Sequence, residues 1–229
     1  MWAVIPVAGQ GSRLRRVTSG RPKCLLDVGG RPLLHHLLDQ MSTVCEAACV
    51  VLPPEHEGIR DALAQHPFGQ GARTVVQEVP NGLADAVSCA ANLVPGRAFV
   101  VMGDTFFGAS LEPALRGLEA QEGGLLIDPN APDPGEPAGW AEPDGAGFAR
   151  GVSKGGRPKS DWVRIAGGFV LDSVTLGGLR NEDTGAGFEA SIHASIEAGA
   201  RYRLLPFDGA RWNVNTPEQL SQLRAWYEG

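Results

Sequence analysis

The residues best suited to chemistry stand near the start of the chain, where Val4-Ile5-Pro6-Val7-Ala8 runs into Gly9-Gln10-Gly11-Ser12-Arg13 and on to Arg21-Pro22-Lys23-Cys24-Leu25-Leu26. A short apolar run followed by a Gly-x-Gly-Ser-Arg turn reads as a buried strand delivering an amide-rich loop, a common way of bringing backbone N–H groups against phosphates. Arg13 and Lys23 add two cations. Strand, glycine turn and spaced cations together point to a nucleoside triphosphate as ligand. Further along, the apolar run Ala98–Met102 ends in Gly103-Asp104 and so projects a carboxylate from a strand end. A hard oxygen donor there suits Mg²⁺, which takes one or two protein carboxylates together with phosphate oxygens.

Positioning these groups calls for a rigid frame, and the first half of the chain alternates short apolar runs with helical patterns, the signal of βαβ units and a mostly parallel sheet. Residues 2–8 read as the first strand, 33–42 as the first full helix, and Ala47–Leu52 and Thr74–Gln77 as the next strands. A helix is expected from Leu83 to before Pro95, a strand at Ala98–Met102 and a helix over 110–121. In open α/β sheets ligands sit at the carboxyl ends of the strands, where the Gly9 loop, Gln77 and Asp104 all fall. From Asp128 to Lys159 six prolines and many glycines exclude a long helix. Phe148, Val152, Trp162, Val163, Ile165 and Phe169–Leu171 make this a β-rich insertion of short strands around Lys154. A helix near Phe188–Glu197, a strand at Tyr202–Phe207 and a helix capped by Thr216-Pro217-Glu218 complete the pattern.

The chain of 229 residues suits one α/β domain, residues 1–229, with the insertion at about 129–171. Twenty basic against 26 acidic residues, a net charge of -6, argues against nucleic acid as the main partner. No apolar stretch reaches the roughly 18 residues of a membrane span, and no basic region precedes the first apolar run, so no membrane partner and a cytoplasmic location are expected. Cys24, Cys45, Cys49 and Cys89 read as small core hydrophobes rather than a zinc site. His35 and His36 lie inside an amphipathic helix, where a histidine usually packs. Glu189 and His193 are spaced for no more than a local helical pair.

The run Gly9, Gly11, Ser12, Arg13, Leu14, Thr18, Pro22, Lys23, Leu25, Gly30-x-Pro32-Leu33 resembles the opening signature of the nucleotidyltransferases that activate sugar 1-phosphates. Gln77…Gly82-Leu83-Ala84-Asp85-Ala86, Val101–Gly108 and Asn213-Val214-Asn215-Thr216-Pro217-Glu218 continue it in the family's order. The likeness is greatest to the small thymidylyl- and uridylyltransferases. It implies a Rossmann-like nucleotide-diphospho-sugar transferase fold and an enzyme that transfers a nucleoside monophosphate from UTP, dTTP or CTP to a phosphorylated small-molecule acceptor.

The resemblance also assigns residues. Ala8, Gly9, Gly11 and Ser12 would wrap the triphosphate, Arg13 would face its β- and γ-oxygens, and Lys23 would sit between the α-phosphate and the incoming phosphate. Gln77 and Gly82 correspond to the pair that reads the base, the Gln offering both a donor and an acceptor. Lys154 is the match to the lysine on the acceptor phosphate, although the usual Glu-Lys-Pro is absent. Asp104 would hold Mg²⁺ with a second acidic residue shortly before Thr-Pro-Glu; this chain has Asn213 and Asn215 there instead, amides without formal charge, and Asn213 is assigned to the metal with Asp104. The alternatives are a cytidylyltransferase acting on phosphocholine or an alkylphosphonate, with Trp140, Trp162 and Trp212 as a cage for the amine, and a catalytically inert nucleotide-binding subunit.

Overall fold

The computed structural model describes residues 1–8, 20–129, 138–179 and 187–229. Its strands are β1 (Trp2–Pro6), β2 (Asp27–Val28), β3 (Arg31–Pro32), β4 (Ala47–Leu52), β5 (Arg73–Val76), β6 (Ala98–Val101), β7 (Thr105–Phe107), β8 (Gly123–Asp128), β9 (Ala138–Pro143), β10 (Ala149–Gly155), β11 (Val163–Leu171), β12 (Tyr202–Pro206) and β13 (Arg211–Asn213). The main sheet runs β10-β9-β11-β6-β1-β4-β5, with β8 beside β11 and β12 beside β8. It is parallel from β6 through β1 and β4 to β5, and turns antiparallel at β11. Helices flank this parallel core, the α/β architecture expected from the alternation of apolar runs and helical patterns. Among the described residues no helix is long and apolar enough to cross a membrane.

A parallel strand covered on both faces must be apolar on both sides, and the core shows the alternation. Ala3 and Ile5 of β1, Val50 of β4, Phe99 of β6 and Val170 of β11 point into one core with Leu34, Leu37, Leu38 and Met41. Val4, Cys49, Val51, Val100 and Phe169 point into the opposite core with Val87, Phe188 and Ile192. The helix Leu33–Val44 supplies the first layer. Pro32 precedes it in an extended conformation, and its apolar residues fall three and four apart. His35 and His36 are buried in it, donating from Nε2 to the carbonyls of Ala62 and Val28 at 2.8 and 2.9 Å. They are packing residues, as expected.

Several boundaries differ from the sequence reading. The helix from Leu83 stops at Cys89, and the one expected over 110–121 is a single turn, Glu112–Leu115. Pro113 leads that turn and Gly117 follows it, and both disfavour a longer helix. The helices at Phe188–Glu197 and Pro217–Glu228 stand where they were expected. The second is closed by a full capping box: Thr216 accepts from Gln219 N, and Gln219 Oε1 accepts from Thr216 N.

The chain order reverses between β1 and β6: β4 and β5 continue on one side of β1, and β6 lies on the other. That reversal leaves a crevice at the carboxyl ends of the two strands, the usual place for a ligand in such sheets. Gly103 lets those ends come close. Its N–H donates to Pro6 O at 3.0 Å, and a Cβ there would collide with Val7 Cγ1. Gly103→Ala should therefore lower stability by about 1–3 kcal/mol through overpacking. Gly117→Ala, where a Cβ meets nothing, should stay within about 0.5 kcal/mol. Urea denaturation of the two variants checks this, and equal midpoints would contradict it.

Candidate active site

Two cavities meet at this crevice. The first, of about 430 Å³, is lined by Val7, Ala8, Lys23, Gln77, Gly82 and Asp104, among others. The second, of about 490 Å³, is lined by Lys154, Arg164, Glu189, Arg211, Asn213 and Asn215, among others. Leu83 and Met102 border both. Gly9, Gly11, Ser12 and Arg13 lie outside the described residues.

Lys23 begins a short 3-10 turn, Lys23–Leu25, after the extended Pro22. Its Nζ donates to Asp104 Oδ2 at 3.3 Å and to Asn215 Oδ1 at 2.6 Å. Residues far apart in sequence thus converge on one ammonium. Asp104 is placed by the end of β6 and by its carbonyl, which accepts from Val214 N at 2.8 Å. Asn215 is placed by the terminal helix, because Gln219 Oε1 also accepts Asn215 N at 2.8 Å. Asn213 is directed elsewhere: its Oδ1 accepts from Thr105 Oγ1 at 3.2 Å and from Arg211 at 3.0 Å. Of the two amides expected in place of the second carboxylate, Asn215 is the one at the Lys23–Asp104 pair, and Asn213, assigned with Asp104 to the metal, is turned away from it. Strand pairing explains the difference. β13 pairs with β7 with Asn213 opposite Thr105, which turns its side chain to its cross-strand neighbour.

Gln77 follows β5 and is 4% exposed. Its Nε2 donates to Asp85 Oδ2 at 2.6 Å and to Gly82 O at 3.2 Å, so both amide hydrogens are engaged within the protein. The donor that the sequence reading offered to a ligand from Gln77 is used here. Gly82 has φ +93°, a left-handed conformation that favours glycine, and starts the helix Leu83–Cys89.

The second cavity is rich in charge. Lys154 on β10 lies 3.4 Å from Glu189 Oε1, on the first turn of the helix Phe188–Glu197. Glu189 Oε2 and Arg164 Nε are buried without a hydrogen-bond partner among the described residues. Burial, with Arg164 alongside, pushes the Arg211 guanidinium down to about 10, which leaves it charged at neutral pH. Glu189, Arg164 and Arg211 were not singled out from the sequence as site residues. The available signal was a carboxylate at the start of a helix, beside the apolar Phe188. Of the three tryptophans considered for an amine cage, Trp212 alone lines this cavity. Trp140 is buried, its Nε1 donating to Gly155 O, and Trp162 is buried outside the cavity lining.

A model of the MobA-like NTP transferase domain matches residues 3–158, a stretch that includes Lys23, Gln77 and Asp104. The chain belongs to the MobA-like NTP transferase family. Bifunctional protein GlmU of Acidiphilium cryptum is 36% identical over 152 residues, 61% of this chain and 32% of the relative. The chain spans about a third or less of the length of the curated relatives it matches. Among solved structures, a UDP-glucose pyrophosphorylase complexed with UDP-glucose superposes with a TM-score of 0.85 at 15% identity, covering 99% of this chain and 98% of that one. A Bacillus anthracis protein assigned as a glucose-1-phosphate thymidylyltransferase, in complex with sucrose, gives 0.84 at 20% identity, covering 99% and 95%. These likenesses support the fold.

In this MobA-like domain the thiol next to Lys23 is held protonated by its surroundings. Burial first, and then the Asp104 carboxylate, push Cys24 up to about 12 from 9.0. Protonated thiol therefore persists across the neutral range, and thiolate forms only as the pH rises toward the folded value. At pH 8 the folded chain should carry about a thousandfold less Cys24 thiolate than the unfolded chain. Alkylation of native and urea-unfolded protein, read by mass spectrometry at the Cys24 peptide, checks this. Comparable rates would place the thiol in solvent.

Proposed function

We propose that this chain transfers a nucleoside monophosphate from a pyrimidine triphosphate, UTP or dTTP, to a sugar 1-phosphate, releasing pyrophosphate. The observation that carries this reading is the Lys23 ammonium, which lines the first cavity and donates to Asn215, a lining residue of the second. Phosphoryl-group transfer is mostly positioning and neutralisation of charge, and it needs a cation where two anions are brought together. An ammonium has three donors. Among the described residues two are directed to Asp104 and Asn215, which leaves the third for a phosphate oxygen.

The first cavity has the character of a base and ribose site, with the apolar Val7, Pro80 and Leu83 around Gln77. The cations Lys154, Arg164 and Arg211 suit a phosphorylated acceptor in the second, and Glu189, Gln219 and Gln222 add polar groups suited to its hydroxyls. In this reading residues 1–229 work as one domain, with the segment of about 129–171 covering the acceptor. The Gly9, Gly11, Ser12 and Arg13 turn completes the triphosphate site on the strength of its sequence. An acceptor phosphate oxygen would attack the α-phosphorus in line as pyrophosphate departs, with no covalent enzyme intermediate. That fits the protonated state of Cys24.

The donors present fit a magnesium ion. Asp104 supplies a carboxylate and Asn215, beside it, an amide oxygen, the hard ligands Mg²⁺ takes beside phosphate oxygens, whereas Asn213 Oδ1 is turned to Thr105 and Arg211. Such a cation, when bound, contributes further neutralisation of the triphosphate. The charge at the site falls mainly on Asp104, since both amides are neutral.

Pyrophosphate release from UTP and dTTP in the presence of a panel of sugar 1-phosphates tests the function. Lys23→Ala should lower turnover by about a hundredfold or more with folding intact, the scale of one preorganised charge-stabilising donor. Turnover in the variant near that of the wild type would remove Lys23 from the mechanism. Activity should also vanish with EDTA, return with Mg²⁺ or Mn²⁺, and fall severely in Asp104→Asn. Full turnover in EDTA would end the metal reading.

A further inference from the structure

The side chain of Gln77 has a fixed polarity. Its backbone N–H donates to Leu52 O at 2.9 Å, which extends the β4–β5 ladder by one residue and holds the side chain at the cavity. Both groups that meet its Nε2 are acceptors: the Asp85 carboxylate oxygen and the Gly82 carbonyl. A carboxylate and a peptide carbonyl have no proton to offer, so only the NH₂ end of the amide can face them. With both hydrogens engaged, the group left for the cavity is Oε1. Among the described residues no hydrogen bond ends on it.

We infer that Asp85 is a positioning residue for base choice, holding Gln77 so that the base meets an acceptor. Resting on the reading of the first cavity as the nucleotide site, this predicts recognition of the imide N3–H of uracil or thymine. The N3 of cytosine is a lone pair, and against Oε1 two acceptors would face each other. A mispaired buried polar group is costly, and that cost supplies discrimination without a further contact from the protein. Asp85 itself does not line the cavity. Its effect is transmitted through the amide it orients.

Calorimetric titration without acceptor, using UTP, CTP and 3-methyluridine triphosphate, tests this independently of turnover. Wild type should bind UTP about tenfold or more tighter than CTP, and the 3-methyl analogue should be weakened similarly because it has lost the N–H. In Asp85→Asn the new amide can donate as well as accept, so Gln77 is free to turn, and the UTP-to-CTP affinity ratio should fall by about fivefold. In a Gln77→Ala background the same substitution should leave the ratio unchanged, because the effect passes through Gln77.

A merely structural Asp85 would weaken both nucleotides equally and keep the ratio, which would overturn the inference while leaving nucleotidyl transfer in place. CTP bound more tightly than UTP by wild type would overturn it in the same way. A ratio still shifted in the Gln77→Ala background would mean that Asp85 meets the base itself, and would also overturn it. Absence of binding by any of the three nucleotides would overturn it together with the function proposed above.

Discussion

One ammonium holds the site together. Lys23 Nζ joins the end of β6, through Asp104, to the entry of the terminal helix, through Asn215, and each side chain in the set is fixed by a different part of the fold. Lys23 and Asp104 are only 17% and 22% exposed, so each would lose hydration without the other. Breaking such a partly buried pair from one side costs more than the pair itself contributes, because the remaining charge is left uncompensated. The strand end, the crevice and the start of the terminal helix therefore meet at one cation. The capping box at Thr216 ends a loop and also aims Asn215, since Gln219 Oε1 takes the N–H groups of both residues.

Around that cation the sheet separates two tasks. The parallel strands β1, β4 and β5 bring Ala8 and Gln77 to a largely apolar cavity, and the antiparallel β9, β10 and β11 line a charged one with Gly139, Lys154 and Arg164. Gly167, at φ +81° on β11, lies beside the register shift between Ile165 and Phe169 and faces Arg211 and Asn213. A bulge of this kind re-aims a strand next to a site. In the proposed function an acceptor anion and a triphosphate lie on either side of Lys23.

What could be read from the sequence was what depends on local pattern. The unbroken apolar run of β1 forecast a buried strand, and the Thr-Pro-Glu start forecast a capped helix, because both are decided by near neighbours. The family was legible for the same reason: its motifs are short and their spacing survives. Side-chain direction was not legible. Asn213 and Asn215 are two apart, and only the pairing of β13 with β7 decides which amide meets Lys23. The polarity of Gln77 depends on Asp85, eight residues on and in the first turn of the next helix. Glu189 looked like one of an ordinary i,i+4 pair, because Lys154 reaches it across the second cavity from a strand that the sequence could place only coarsely.

The central claim is that Lys23 lies where a triphosphate and an acceptor phosphate meet. A crystal structure with Mg²⁺, a UTP analogue carrying a non-hydrolysable α,β-bridge and a sugar 1-phosphate tests it most directly. Uracil is expected beside Gln77, the α-phosphate in hydrogen-bond contact with Lys23 Nζ, and the acceptor phosphate among Lys154, Arg164 and Arg211. A nucleotide bound away from Gln77, or phosphates directed away from Lys23, would contradict it.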